Sequence, residues 1–254
     1  MQDTSGASVQ ETASSGSIRD GLPEGFVILP RFSQHEPARA WSYRVILHNI
    51  VHLMLPPGSC VVESEVRQLL DVSRTPVREA LMQLAQEDFV QIIPQKGTYV
   101  TLINLEQVLE LRFIRRCVEI EVVKAACERM NPDVDQSLAE ALAEQKRIAP
   151  LRDYEAFIRA DDDMHRIIYA SAGKLGVWEF FSRSNLHHFR TRLLGLRVEG
   201  VPNRLVEEHA RLIEALATRD PGRAEAEAKR HLAEHAWYAH SVARTYPDYV
   251  LQKT

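Results

Sequence analysis

The strongest constraint on the fold is the order in which hydrophobic periodicities follow one another along the chain. Between residues 38 and 86, apolar side chains recur at helical spacing in three segments, and the first of them stops at Pro56-Pro57-Gly58. Two short strand-like runs follow, at 89–93 and 98–101, joined by a turn that contains glycine. Three helices and a β-hairpin in this order predict a winged helix-turn-helix.

Beyond Asn104 the sequence has helical periodicity throughout, with no alternation typical of strands. Asn104, Asn131 and Asp220 can each cap a helix, and the last two are followed by proline. Five breaks divide this part into six predicted helices, at 131–132, 149–150, 173–176, 200–202 and 220–221. The predicted fold is therefore mainly α, with a winged helix-turn-helix at 38–102 followed by an all-α six-helix bundle at 103–254.

The first 37 residues carry the least information. Up to about residue 25 they are rich in Ser, Gly, Thr and acidic residues without periodicity, which predicts a disordered tail. Gly25–Pro30 is short and apolar, and it fits either an added strand or a segment docked on the folded part. Because the sequence contains no C-x-x-C pair, no signal peptide and no apolar run of about 18 residues, we expect a cytoplasmic protein without a membrane span.

Composition gives no global signal for nucleic acid. The net charge is −4, and residues 39–101 contain six Lys or Arg against six Asp or Glu. DNA binding would therefore need cations gathered at one place. Arg74 and Arg78 provide such a place, since they lie one turn apart at the start of the third helix. A helix N-terminus attracts phosphate, and arginine can donate two hydrogen bonds to phosphate or guanine.

The start of that helix and the hairpin complete the prediction for DNA. Thr75 is predicted as the N-cap, with Pro76 as the first helical residue. Lys96 and Gly97 lie at the predicted hairpin tip, where a wing could reach the adjacent groove. Solvated surface arginines without a DNA contact are the alternative.

The motifs Pro57-Gly58, Ser73–Leu81 and Ile93–Val100 make residues 39–101 resemble the N-terminal domain of the GntR family of transcription regulators. The resemblance implies a homodimer that binds double-stranded operator DNA. It assigns the DNA contacts to Arg74, Thr75, Arg78, Lys96 and Gly97. Arg67 stands where alanine is usual, and Ser64 where a basic residue is common in some members, so contacts from the second helix are not predicted.

A second set of polar residues interrupts the apolar helix faces of the C-terminal part. Asp161 and His165 lie on the stripe that Phe157 and Tyr169 continue. A buried carboxylate is costly unless it is paired or bound to a metal. The spacing of four points both groups in the same direction, as a metal site on one helix requires.

His209 and His231 lie on apolar stripes of two successive helices. They lie nine residues before and ten residues after the turn at 218–221, so each is about 14–15 Å from the hairpin end. Antiparallel helices would bring both imidazoles to one level, where they could form an Asp-His₃ site with Asp161 and His165. Hydrogen-bonded core histidines are the alternative. His235 could substitute for His231, and the pair His187-His188 is a weaker candidate.

The segments Asp161–His165, Glu208–Leu216 and Asp220–His231 make residues 104–240 resemble the FCD domain of FadR-like GntR regulators. The resemblance implies that the aspartate and three histidines bind a divalent metal ion. Zinc is expected first, with nickel or manganese as alternatives. It also implies a small carboxylate effector that completes the coordination sphere.

The arginine–glutamate pair of the family's first helix matches Arg115 and Glu119, which makes Arg115 the candidate for binding the effector carboxylate. A surface ion pair between the two is the alternative. The predicted pocket further contains Asn185 and Arg192, together with Tyr154 and Trp178.

The predicted function is a ligand-responsive transcription regulator, with repression expected, and not an enzyme. A metal-dependent hydrolase with a DNA-binding module and a direct metal sensor are the alternatives. Catalysis has little support, since the sequence contains no H-E-x-x-H, nucleophile elbow or Gly-rich phosphate loop. A metal sensor would bind DNA in response to free metal with no organic ligand present.

Overall fold

The structure, a computed structural model, describes residues 22, 23, 25–184 and 186–252, and it describes their side chains except at 183, 184 and 234–238. The N-terminal unit contains α1 (Ala38–Val51), α2 (Glu63–Leu70), α3 (Arg74–Gln86), β1 (Val90–Ile93) and β2 (Gly97–Val100). The helical unit contains α4 (Leu105–Cys127), α5 (Pro132–Ile148), α6 (Tyr154–Ser171), α7 (Leu175–Ser184), α8 (Leu186–Leu196), α9 (Val201–Ala217) and α10 (Pro221–Thr245). The mainly α fold with a winged helix-turn-helix is confirmed.

The core of the N-terminal unit forms where α1 packs on α3. Its fully buried apolar residues follow the helical spacing of the sequence, and they include Val45, Ile46, Ile50, Val77 and Leu84. Residues 71–73 connect α2 to α3, and Asp71 takes a left-handed conformation with φ of 48°. The antiparallel hairpin pairs Val90 with Val100 and Ile93 with Gly97.

The predicted N-cap of α3 is wrong. The helix begins at Arg74, and Ser73 precedes it with an extended ψ of 171°. Thr75 is therefore the second helical residue and Pro76 the third. Proline is tolerated at that position because the first N–H groups of a helix have no partner within the helix. The proline therefore predicts the first residue of α3 only to within one helical turn.

Gly25–Pro30 is not a strand, and it docks on α1. The amide nitrogen of Val27 donates to Asn49 Oδ1 over 2.7 Å, and Asn49 Nδ2 donates back to the Val27 carbonyl over 2.8 Å. Trp41 Nε1 donates to the carbonyl of Leu29 over 2.7 Å. Asn49 is a buried polar residue of α1, and the docked segment supplies hydrogen-bond partners for its side-chain amide.

In the described part of the helical unit, the α-helices are interrupted at or next to each of the five predicted breaks. Residue 185, between the ranges of α7 and α8, lies outside the described residues. The three predicted caps are confirmed, since Asn104, Asn131 and Asp220 each accept hydrogen bonds from first-turn amides. Helix α4 packs along α10, α5 along α6, and α9 along α10. None of the described helices is long and apolar enough to cross a bilayer.

Candidate functional site

Three buried histidines from α6, α9 and α10 meet inside the helical unit. The rings of His209 and His231 have their centroids 4.8 Å apart, at one level of the α9–α10 hairpin, and each lies 5.6 Å from the ring of His165. One potential ligand atom from each of the three histidines lies within 4.8 Å of the others. The spacing across the hairpin thus predicted a real juxtaposition.

Each of these imidazoles has its Nδ1 atom next to an acceptor. His165 Nδ1 lies 2.7 Å from Glu119 Oε1, and His209 Nδ1 lies 2.6 Å from Gln145 Oε1. His231 Nδ1 lies 3.0 Å from Glu208 Oε2. The sequence reasoning assigned none of these three acceptors, although a buried acid or amide on an apolar helix face is a signal that could have found them.

The other ring nitrogen of His165 and His209, Nε2, is the atom that could bind a metal ion. Nε2 of both side chains is buried and has no hydrogen-bond partner among the described residues. Metal-ligating histidines commonly donate their second ring nitrogen to a carboxylate or carbonyl, which fixes the tautomer. The arrangement around His209 has this form, with Gln145 Oε1 next to its Nδ1 atom.

Asp161 joins the cluster to a basic residue. Its Oδ1 atom lies 3.3 Å from His209 Nε2, and its Oδ2 atom accepts from Arg192 Nη2 over 2.5 Å. Burial would raise the pKa of Asp161, but the charge of Arg192 holds it well below its usual range. Asp161 is therefore ionised at neutral pH.

The protonation states suit a metal. Burial lowers the pKa of His209 well below its usual value and lowers that of His231 to about 3. Neutral imidazoles and an ionised carboxylate are the forms that ligate a divalent transition metal. These residues could therefore hold such an ion.

Arg115 and Glu119 form a buried pair, so the alternative of a surface ion pair is wrong. Arg115 Nε lies 2.7 Å from Glu119 Oε2, and both side chains are buried. Burial would raise the pKa of Glu119, yet Arg115 and His165 hold it well below its usual range. Arg115 Nη2 remains buried without a hydrogen-bond partner among the described residues.

A pocket adjoins the histidine cluster at Asp161, and its empty space, including the part open to solvent, is about 460 Å³. Its polar lining consists of Arg112, Arg115, Asp161, His188, Thr191 and Arg192. Its apolar lining consists of Phe157, Ile158, Gly195, Leu196, Val201 and Leu205.

The pocket contains some of the predicted residues and several that the sequence did not single out. Arg115 and Arg192 line it, and Trp178 lines a neighbouring pocket. Tyr154 does not line the pocket, but it packs against the apolar cluster that includes Phe157 and Leu205 of the pocket wall. Asn185 lies outside the described residues. His188 lies here rather than in the histidine cluster, and its Nε2 accepts from Arg112 Nε over 3.0 Å.

The residues predicted to contact DNA are at the surface of the N-terminal unit. Arg74, Thr75 and Arg78 are exposed on the first turns of α3. Arg74 contacts Glu63 over 2.8 Å, but 76% of its side chain is exposed. Lys96 is exposed at the hairpin turn, and Gly97 has φ of 135°, a conformation that other residues rarely adopt.

Helix α8 contacts both units. His188, Thr191 and Arg192 line the pocket, whereas His187 packs on the N-terminal unit. The rings of His187 and Phe89 are stacked with centroids 4.0 Å apart, and His187 Nε2 lies 3.0 Å from the carbonyl oxygen of Glu87. Glu87 directly follows α3, so one helix reaches from the pocket to the end of the predicted recognition helix.

Comparison with known proteins gives the family. A family model described as bacterial regulatory proteins, gntR family, matches residues 43–100, and the FCD domain model matches residues 110–234. The chain is 30% identical over 199 residues to the HTH-type transcriptional repressor RspR of Escherichia coli K12, covering 78% of this chain and 87% of RspR. The chain belongs to the GntR family of bacterial regulatory proteins. It is a transcriptional regulator with an FCD domain.

One further sequence relative and two solved structures are similar to this chain. An uncharacterized HTH-type regulator of Streptomyces ambofaciens is 31% identical over 190 residues, covering 75% of this chain and 80% of that protein. The structure of E. coli McbR/YncC superposes with a TM-score of 0.61 at 19% identity, covering 81% of this chain and 98% of McbR. A GntR regulator from Rhodococcus sp. RHA1 gives the same TM-score at 22% identity, covering 80% and 97%. These structures share the fold.

Proposed function

We propose that this GntR-family regulator is a repressor whose affinity for operator DNA is controlled by a small carboxylate bound beside a divalent metal ion. The observation that carries the proposal is the histidine cluster, which lies next to a pocket lined by Arg115. RspR, which is named a transcriptional repressor, supports the direction of the effect. The polarity of the pocket supports an anionic ligand.

His165, His209, His231 and Asp161 would hold the metal. The acceptors at the Nδ1 atoms of the histidines would keep their rings oriented. When bound, a divalent ion of this kind supplies a Lewis-acid position for a ligand oxygen. Zinc fits a donor set that is rich in imidazole, and nickel and manganese remain alternatives.

Arg115 would bind the carboxylate. Glu119 accepts a hydrogen bond from Nε of its guanidinium group. Arg115 lines the pocket, and its Nη2 atom is buried without a hydrogen-bond partner among the described residues. A guanidinium group held in this way is suited to a carboxylate, because its donors are fixed before the ligand arrives. Arg192, which forms an ion pair with Asp161, would add positive charge to the pocket.

Helix α8 would couple the two sites. Ligand contacts at Thr191 would act on the same helix that holds His187 against Phe89 and Glu87. A ligand can shift such an arrangement only through different affinities for two states of the protein. The proposed states differ in the position of α3 and the hairpin relative to α8.

The proposal includes a homodimer on double-stranded DNA, as a two-fold operator requires. Arg74, Thr75 and Arg78 would contact the major groove, with Lys96 and Gly97 at the adjacent backbone. On α4, Phe113 is 66% exposed and Ile114 47% exposed. Exposed apolar patches on a helix mark interaction surfaces, and we assign this one to the second copy of the chain.

The decisive experiment is a thermal-shift screen of small carboxylates on the zinc-loaded, full-length protein, with and without EDTA. We expect a carboxylate that raises the melting temperature only when zinc is present, and that lowers affinity for a selected DNA fragment. Stabilisation that survives EDTA would contradict the metal-dependent site. DNA affinity that follows free zinc without any carboxylate would identify a direct metal sensor instead.

A further inference from the structure

We infer that the effector is a monocarboxylate with an apolar substituent, rather than a diacid or a polyhydroxy acid. The inference rests on the proposed function, because it assumes that the pocket beside Asp161 binds the effector. It comes from the way polar and apolar side chains are separated within that pocket.

Two buried donors in the pocket lack a partner. Arg115 Nη2 and Thr191 Oγ1 both belong to residues that line the cavity, and neither atom has a hydrogen-bond partner among the described residues. Buried polar groups are rarely left unsatisfied, so each such group calls for an explanation. One carboxylate group has two oxygens and can accept from both.

The other cations of the pocket already have acceptors. Arg192 contacts Asp161 over 2.5 Å and Asp162 over 2.7 Å. Arg112 donates to His188 Nε2 over 3.0 Å. A second carboxylate could reach Arg192 only at the expense of these ion pairs, and it would meet the negative charge of Asp161. The free donors therefore match one anionic group.

Polar and apolar residues are separated along the lengths of α6 and α9. On α6, Phe157, Asp161 and His165 are spaced by four residues, in the order apolar, acidic and histidine. On α9, Val201, Leu205 and His209 repeat the spacing with two apolar residues before the histidine. Each step of four residues advances about 6 Å along a helix. The apolar part of the pocket thus lies about one turn away from the carboxylate end, on the side away from the histidines.

The apolar end cannot satisfy hydroxyl groups. Its side chains Phe157, Leu196, Val201 and Leu205 are all buried, and none of them can donate or accept a hydrogen bond. A hydroxyl group placed there would lose its water without compensation, whereas a methylene or an aromatic ring would gain from burial. A short aliphatic or aromatic substituent therefore fits.

Calorimetric titration of the zinc-loaded full-length protein with acetate, butanoate, hexanoate, phenylacetate, succinate and gluconate tests the inference. Burial of each added methylene should tighten binding about fourfold until the cavity is filled. Phenylacetate and hexanoate should bind more tightly than succinate and gluconate. The reverse order would overturn the inference while leaving the proposed regulator intact, and the absence of binding by every acid would overturn both.

Two variants separate the ends of the pocket. Val201→Thr keeps the shape of the side chain and adds a hydroxyl group, so it should weaken hexanoate severalfold and leave acetate unchanged. Thr191→Val should weaken both acids by similar factors. Circular dichroism and the melting temperature without ligand check that both variants fold. Equal loss of acetate and hexanoate in folded Val201→Thr protein would contradict the assignment of Val201 to the apolar end.

Discussion

Arg190 of α8 donates a hydrogen bond to the N-terminal unit, from Nη1 to the carbonyl oxygen of Thr101 over 3.0 Å. Its Nη2 atom lies 2.9 Å from Nδ1 of His187. Arg190 is buried, and it makes no ion pair among the described residues. Burial lowers its pKa to about 10. A buried charge that is held only by neutral acceptors is costly, and its position next to the hairpin makes it a candidate for transmitting the ligand signal.

Replacing Arg190 with methionine should uncouple the two sites. The variant loses the link to Thr101 but leaves the pocket residues in place, so carboxylate affinity should stay within about twofold of wild type. The effect of the carboxylate on DNA affinity, typically 5- to 150-fold for allosteric proteins, should fall towards unity. Fluorescence anisotropy with labelled DNA, with and without ligand, measures both. Arg197→Met, at an exposed position just after α8, is the matched control. Full coupling in Arg190→Met protein would exclude this route.

The stability of the metal-free protein should fall as pH decreases below about 6.5. Burial lowers the pKa of His187 in the folded state, while Arg190 lowers it further and Glu87 and Asp88 oppose the shift. The unfolded chain therefore binds a proton in this range that the folded chain does not, so the free energy of unfolding rises with pH. His188, His209 and His231 act in the same direction.

Urea denaturation in EDTA between pH 7.5 and 5.5 measures this slope. His187→Gln should reduce the slope of the free energy of unfolding against pH by the equivalent of at most one bound proton. The part of the slope that comes from the other buried histidines should remain. A stability that rises as pH falls would contradict the direction of these pKa shifts.

Gln145→Ala should weaken zinc binding without removing a ligand. Gln145 is buried on α5 and contacts His209 Nδ1 over 2.6 Å, so its loss frees the ring to reorient. Loss of such an outer partner typically costs about 10- to 100-fold in metal affinity. Competition with a chromophoric zinc chelator measures the change, and Gln136→Ala on the exposed side of the same helix is the control. Equal zinc affinities in wild type and Gln145→Ala protein would argue against His209 as a ligand.

Arg78→Ala should weaken binding to a DNA fragment selected with the wild-type protein, by about 1–3 kcal/mol if Arg78 reads a base. Lys96→Ala should lower the affinity by a similar factor for all DNA sequences. It should also reduce the slope of the logarithm of the binding constant against the logarithm of the salt concentration by about one. Arg67→Ala, exposed on α2, is the control because no DNA contact is assigned to it. Loss of affinity in the Arg67 variant alone would move the interface to α2.

The double variant Phe113→Ser/Ile114→Ser should shift the protein towards monomer. Both side chains are exposed on α4, so the substitutions leave the core of the helical unit unchanged. Sedimentation velocity across a concentration series measures the change in the dimer dissociation constant. Leu151→Ser, exposed outside α4, serves as the control. An unchanged dimer would place the interface on another surface.

Local features of the sequence predicted most of the fold. Helical spacing, three capping residues and the glycine-containing hairpin depend on neighbours within a few residues, which is why the periodicity and caps were confirmed. The start of α3 was shifted by such local ambiguity, because serine and threonine can both cap.

Some residues of the candidate site could be predicted from local spacing in the sequence, and others could not. Helical spacing alone aligned Asp161 with His165, and the hairpin arithmetic brought His209 level with His231. Only the tertiary structure decided which groups hold them: Glu119, Gln145 and Glu208 come from other turns or other helices. It also decided that Arg190 meets Thr101, 89 residues away in the chain. Sequence determines the periodicity of each helix because that depends on the local backbone, whereas pairing between distant side chains depends on how the helices pack.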